Sequence, residues 1–322
     1  MRVLTAEQMK RFDEDGYLVV EGVLDPERDI KPVLDEYNGV LDGIARDLVA
    51  EGKLRSTYAE LPFVDRLVQV CEESGRNFPQ HFDIALPQRG VKYDTPMHHG
   101  PAAFRVLTTP RLLDLVEDLM GPEIYSNPVQ HIRTKLPPRA VSAGDRNGLI
   151  VAVPWHQDNG VVLPEADVAT ILTVWMPLTE TTLDNGCMQV VPGSHRHGLD
   201  PHCPTAKGLS IPEQLIAEDH AIPLPMPVGS VLLLNQRTVH SSRENTTQNS
   251  VRISFDLRYQ PVGQPTGRPT FPGFVARSKA NPGAVLTDPS VWKQMWLDAR
   301  ERLARAEDPA YNRWSADAAV CA

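Results

Sequence analysis

The sequence predicts a mainly β fold of sandwich or jelly-roll type with flanking helices, and three observations carry that expectation. Proline supplies 29 of the 322 residues, nearly double its usual share of ~5%. Because proline is excluded from helix interiors and central strands, a helical bundle or coiled coil cannot account for most of the chain. Its distribution is uneven: residues 1–78 hold only Pro26, Pro32 and Pro62, which places helices at the front and a loop-rich β body behind. Short strand-like runs then follow one another with turn residues between them and no regular βαβ alternation, which favours a sandwich over a parallel doubly wound sheet.

Residues 5–15 read as a helix, with Thr5 as its cap, Gln8 at the capping-box position and Gly16 as its stop. A short β-like run at 17–20 is followed by helical patterns over 26–49, 61–75 and 111–120, the last ending at Gly121-Pro122. Four strand candidates come next, at 129–136, 168–178, 229–235 and 251–259. In the last, Ile253, Phe255, Leu257 and Tyr259 alternate with Arg252, Ser254, Asp256 and Arg258, so one face is apolar and the other lines something polar. Residues 261–289, rich in proline and glycine, read as an extended strap, and 288–306 as a charged amphipathic helix. One domain over 1–322 is expected: a mainly helical part to residue 80, a β core over 81–275, and a closing strap and helix over 276–322.

Thirty-two basic against 41 acidic residues leave a charge of −9, which disfavours nucleic acid and anionic membranes as partners and leaves a small molecule. The longest apolar run, 149–155, contains a proline and is far short of the ~20 residues of a membrane helix. The front end lacks the apolar core of a signal peptide, so a cytoplasmic location is expected. Cys71, Cys187, Cys203 and Cys321 show no CxxC spacing, and reduced thiols are expected. Nothing in the sequence speaks to oligomeric state.

The chemistry centres on VPWHQDNG, with His156 and Asp158. On an extended strand, positions i and i+2 point the same way, so the pair supplies two-thirds of a 2-His-1-carboxylate site for Fe(II). A surface turn would look the same on these residues alone. Eighty-two residues beyond Asp158, NQRTVHSS carries His240, and twelve further on lies Arg252, whose planar guanidinium suits bidentate pairing with a carboxylate. Arg258 shares that face and could exchange roles with it.

These blocks, namely WHQD, TVWMPLTETTLDNGCMQVVPGSH, GSVLLLNQRTVHSS and RISFDLRYQP, with FDEDGYLVVEGVL ahead of them, resemble the phytanoyl-CoA dioxygenase family of Fe(II)/2-oxoglutarate oxygenases over residues 8–272. The resemblance implies a double-stranded β-helix, a cupin-like jelly-roll barrel with N-terminal helices and iron in its mouth. Carried over position by position, His156, Asp158 and His240 are the iron ligands and catalytic centre, and Arg252 holds the distal carboxylate of 2-oxoglutarate. Trp175 and Ser242 match positions that line or bond the cosubstrate, and Lys135 and His131 match a strand bordering it. The spacing from His240 to Arg252 is twelve, where the family more often has eleven, so Arg258 stays open beside Arg252.

Iron held by two neutral imidazoles and one carboxylate keeps a net positive charge and accepts a chelating keto acid. With O2, 2-oxoglutarate is then decarboxylated to succinate and CO2 while a C–H bond of a small organic metabolite is hydroxylated, or desaturated or cyclised. Related halogenases carry a small residue where Asp158 stands, so halogenation is not expected. Two rivals remain: a cupin-type metal enzyme that uses no keto acid, and a non-catalytic jelly-roll binding module.

Other residues carry two readings each. His98 and His99, in PMHHG, are either substrate contacts at the barrel mouth or ordinary loop histidines. The His195/His197 pair has metal-ligand spacing, but the resemblance makes it a turn. Arg133, Lys135, Arg139 and Arg146 are solvated charges or meet an anionic substrate. Phe82, Tyr93 and Phe104 form a substrate wall or core, and Trp175 is a core residue or a cosubstrate contact.

Overall fold

Helix α1 (Ala6–Asp15) is bracketed by the residues expected to start and stop it. The Gln8 amide donates to Thr5 Oγ1 at 3.2 Å and the Thr5 amide to Gln8 Oε1 at 2.9 Å, a reciprocal capping box. Gly16 then adopts φ +77°, where a Cβ would collide with His195 and Thr238, and turns the chain into strand β1 (Tyr17–Val20). This computed structural model describes residues 3–145 and 150–321.

Helices α2 (Lys31–Ala50), α3 (Phe63–Ser74) and α6 (Pro110–Met120) fall where the apolar periodicity places them. Two further helices, α4 (Pro79–Phe82) and α5 (Pro101–Leu107), were not expected. With four and seven residues they are too short to show a period of 3.6.

All four strand candidates belong to one sheet: β2 (Ile124–Lys135), β4 (Leu172–Pro177), β9 (Val231–Asn235) and β11 (Arg252–Pro261). With β1 and β12 (Phe274–Arg277) they form an antiparallel sheet in the order β1-β9-β4-β11-β2-β12. Strand β12 lies inside the segment expected to be a plain strap. Strand β2 begins five residues earlier than expected, and its pairing with β11 shifts register between Asp256↔His131 and Arg258↔Asn127. Pro128, which has no N–H to offer the ladder, lies within that shift.

Of the second sheet, only the extended segment carrying His156 is legible in the sequence. The sheet consists of β3 (Val153–His156), β10 (His240–Ser242), β5 (Met188–Val190) and β8 (Ile222–Leu224), in the order β3-β10-β5-β8. A small hairpin, β6 (Cys203–Thr205) with β7 (Gly208–Ser210), forms a ladder of its own and lies beside β3, the Ile211 amide donating to the Trp155 carbonyl at 2.8 Å. The closing helix α7 spans Pro289–Arg305.

The alternation along β11 and β4 sets the layers. Ile253, Phe255, Leu257 and Tyr259, with Leu172, Val174 and Met176, turn outward into a core shared with α2, α5, α6 and α7. Each large apolar side chain buried there contributes ~1.5–3 kcal/mol. On the inner face Trp175, Leu232 and Leu234 meet Met188, Val190 and Leu224 of the small sheet. The two sheets thus face each other as in a jelly roll, but among the described residues they do not close into a continuous barrel.

The expectation of four reduced thiols requires correction. Cys203 on β6 and Cys321 near the end of the chain form a disulfide across 118 residues of sequence, with Cα atoms 5.4 Å apart; Cys71 and Cys187 are free and buried. Spacing rules detect neighbouring cysteines and pass over a pair that only folding brings together. Among the described residues no helix is long and apolar enough to cross a membrane.

Candidate active site

His156 ends β3 and His240 opens β10, and the two residues are direct partners in the antiparallel ladder. Their rings lie 4.2 Å apart between centroids. Asp158 lies two residues beyond His156, but it does not continue the strand, since it opens a 3-10 turn over Asp158–Val161. The expected convergence of His156 and Asp158 therefore arises from a strand end and a turn, where a uniformly extended segment was expected. One ligand atom from each of His156, Asp158 and His240 lies within 4.8 Å of the others, and all three residues are buried.

The backs of both imidazoles are tied. His156 Nδ1–H donates to the Pro154 carbonyl at 2.8 Å and His240 Nδ1–H to the Thr238 carbonyl at 2.9 Å. Each Nε2 is left turned toward Asp158, at 3.8 Å for His156 and 3.9 Å for His240. Such bonds fix tautomer and ring orientation in metal-binding histidines. Burial, then the neighbouring His240 ring, pushes His156 well below the usual imidazole range, which keeps it a neutral ligand. Burial alone would raise Asp158, but Arg258 and the two imidazoles outweigh it and hold the carboxyl below the ordinary range. Arg258 and Thr173 both donate to this carboxylate through short hydrogen bonds. Gln157, between the ligands, is pinned by bonds from its Nε2 to the Gly198 and Arg237 carbonyls at 2.8 and 2.7 Å. The donor set fits a divalent metal of the Fe(II) type, with both carboxylate oxygens and both histidine backs accounted for.

Beside the triad lies a cavity of about 670 Å³ between the sheets, roofed by hairpin β6–β7 and residues 86–89. Trp175, Ser242, Arg252 and His131 line it together with His156 and His240. Arg252 is 1% exposed and lies over the Trp175 ring at 5.5 Å. Its Nε donates to the Gly186 carbonyl at 3.1 Å and its Nη1 to Ser254 at 2.7 Å, while Nη2 is buried without a partner among the described residues. Burial, with Arg133 nearby, pushes this guanidinium down to about 9. Arg258, by contrast, is committed to Asp158 and the Val129 carbonyl. His131 meets Asp83 at 3.0 Å.

The remaining expected residues fall elsewhere. Lys135 is buried next to Arg252 in the ladder, but its Nζ donates to the Val151 carbonyl at 2.7 Å and it does not border the cavity. His98 pairs with Glu36 at 3.2 Å. His99 donates to the Ile84 carbonyl at 2.9 Å and stacks on Trp296, so neither histidine of PMHHG reaches the cavity. His195 and His197 lie in a 3-10 turn, His195 against the Asp13 carbonyl. Phe82 and Phe104 are core, and Tyr93 is exposed. Arg133 lines the cavity, Arg139 pairs with Glu72 at the surface, and Arg146 lies outside the described residues. Sequence reasoning missed Thr173, which bonds a ligand from a strand fifteen residues on, and Arg268 and Trp314, which enter the cavity wall from the C-terminal part.

Comparison with known proteins agrees with this geometry. Residues 12–254 match the family model described as phytanoyl-CoA dioxygenase (PhyH). The human peroxisomal phytanoyl-CoA dioxygenase is 25% identical over 255 residues, which cover 76% of this chain and 65% of that one. Among solved structures, the non-heme monooxygenase ThoJ superposes with a TM-score of 0.55 at 20% identity, covering 92% of this chain and 97% of that one. The epimerase SnoN, solved with Fe3+, alpha-ketoglutarate and nogalamycin RO, superposes with a TM-score of 0.50 at 21% identity, covering 81% and 86%.

Proposed function

The chain belongs to the phytanoyl-CoA dioxygenase family, and from that premise we propose that it is an Fe(II)/2-oxoglutarate-dependent oxygenase acting on a C–H bond of a small organic molecule. The observation that carries this reading is the His156–Asp158–His240 group, with ligand atoms within 4.8 Å of one another and both imidazoles oriented from behind. His156 and His240 would hold the metal through Nε2 and Asp158 through a carboxylate oxygen. Bound iron supplies O2 activation coupled to decarboxylation of 2-oxoglutarate to succinate and CO2.

The chain's own residues position the reactants. Arg252, with its unpartnered Nη2 over Trp175, is proposed to receive the distal carboxylate of 2-oxoglutarate, and Ser242 lines the same wall. Arg258 is already bonded to Asp158, so its proposed role is to orient a metal ligand. Thr173 does the same from β4. His131, on β2, borders the cavity and is paired with Asp83. A volume near 670 Å³ lies in the range of sites for small organic ligands, which supports a cosubstrate with a small substrate beside it.

Calorimetry under anaerobic conditions tests the reading. Fe(II)-loaded protein is expected to bind 2-oxoglutarate and, on admission of air, to form succinate slowly even without substrate. Stoichiometric iron with no binding of the keto acid would favour a metal enzyme of another kind, and absence of iron uptake would favour a binding module.

A further inference from the structure

Among the described residues three buried guanidinium groups line the cavity, and two are accounted for: Arg258 by Asp158 and Arg252 by the proposed cosubstrate. The third is Arg268, from the segment that follows β11. It is 2% exposed, and among the described residues it forms no ion pair. Its Nη2 donates to the Val161 carbonyl at 2.8 Å, its Nε has no partner among the described residues, and the guanidinium lies over the rings of Tyr311 at 4.8 Å and Phe271 at 5.8 Å.

Its placement is specific. Gly267, at φ +67°, packs so closely on Val162 and Ala166 that a Cβ would clash, and this presses the segment against the turn behind the metal ligands. That turn opens with Asp158 and closes with Val161, the residue whose carbonyl Arg268 holds. Arg268 thus holds the residue that ends the turn opened by a metal ligand, whereas Arg252 lies at the other end of β11, six residues or ~20 Å away along the strand from Arg258. The tail completes the wall: Asn312 and Trp314 line the cavity, and Trp314 Nε1 donates to the Gly160 carbonyl. A buried cation without a counter-charge is unfavourable, and burial together with Arg258 lowers Arg268 to about 10.

We propose that Arg268 is the docking point for an anionic group, a carboxylate or a phosphate, on the organic substrate, which is thereby held on the Asp158 side of the metal while 2-oxoglutarate occupies the Arg252 side. This inference rests on the oxygenase reading above. It narrows the substrate class to organic anions, since a neutral metabolite would leave Arg268 buried and unpaired.

The test uses protein loaded with Mn(II) and saturating 2-oxoglutarate without oxygen, titrated by calorimetry with octanoate, octyl phosphate and octanamide at fixed ionic strength. One of the two anions is expected to bind ~10–100-fold more tightly than the amide, as for a hydrogen bond to a charged group, and which anion wins identifies carboxylate or phosphate. Arg268→Gln is expected to bring that ratio to within about twofold, and Arg268→Lys, which keeps a cation and part of the stem packing, to retain some of it. Equal binding of anion and amide by the wild type, or an undiminished preference in Arg268→Gln, would overturn the proposal. If Arg268→Gln does not fold, the wild-type ratio and the Arg268→Lys protein decide. Binding of 2-oxoglutarate is measured first: its absence removes the oxygenase reading, whereas its presence with no anion preference removes only this inference.

Discussion

Asp158 is held from several sides, receiving bonds from Arg258 on β11 and Thr173 on β4 while facing two histidines. Removing one partner of a buried ion pair strands the other charge, at a cost of ~3–5 kcal/mol, and disturbing a group that orients a metal ligand weakens metal binding ~10–100-fold. Arg258→Ala is therefore expected to lower both iron content and the urea midpoint. Arg252→Ala is expected to leave iron content intact and raise the dissociation constant of 2-oxoglutarate ~10–100-fold. Metal analysis and anaerobic calorimetry on the two variants separate these outcomes, and the reverse pattern would exchange the two roles. The residue types of the triad and both arginines are legible in the chain, because metal affinity follows from the side chains present. Which arginine is free is not legible: Asp158 and Arg258 are 100 residues apart, and their pairing leaves no local trace.

At the scale of elements, the outer face of the large sheet depends on α7. Trp292 and Trp296 are fully buried, and His99 lies between them, 4.8 and 5.3 Å from their ring centroids. Trp296→Ala is expected to cost ~3–5 kcal/mol, read as a shift in the urea midpoint. Burial pushes His99 down to about 3, below its unfolded value of ~6.5. Between those values the unfolded chain binds the proton and the folded one does not, so stability is fully present above the unfolded value and is lost as pH falls toward the folded one, by at most ~1.4 kcal/mol per pH unit. Denaturation of wild type and His99→Phe at pH 7, 6 and 5 is expected to show the steeper loss in the wild type; parallel curves would assign the acid sensitivity elsewhere. The same scale explains the gaps in the sequence reading. Strands β2, β4, β9 and β11 run for five to twelve residues and show a pattern, whereas β3, β5, β8 and β10 run for three or four, too few to establish a period of two.

For the whole molecule, the disulfide between Cys203 and Cys321 ties the C-terminal tail to the hairpin over the cavity. Closing so long a loop restricts the unfolded chain, with a typical stabilisation of ~2–4 kcal/mol. Cys321→Ser is expected to lose that amount in urea denaturation, and a reductant should bring wild type to the same midpoint; identical curves with and without reductant would show that the link contributes nothing. Local chemistry settles the helix caps, the two-faced strand β11, the metal-binding residue types and the mainly β class, because each is written within a few residues or one short period. The assembly of the second sheet, the disulfide, the commitment of Arg258 to Asp158 and the arrival of Arg268 and Trp314 at the cavity come only from the folded chain. They join residues tens to more than a hundred positions apart, whose encounter depends on how the sheets and the segment after β11 pack.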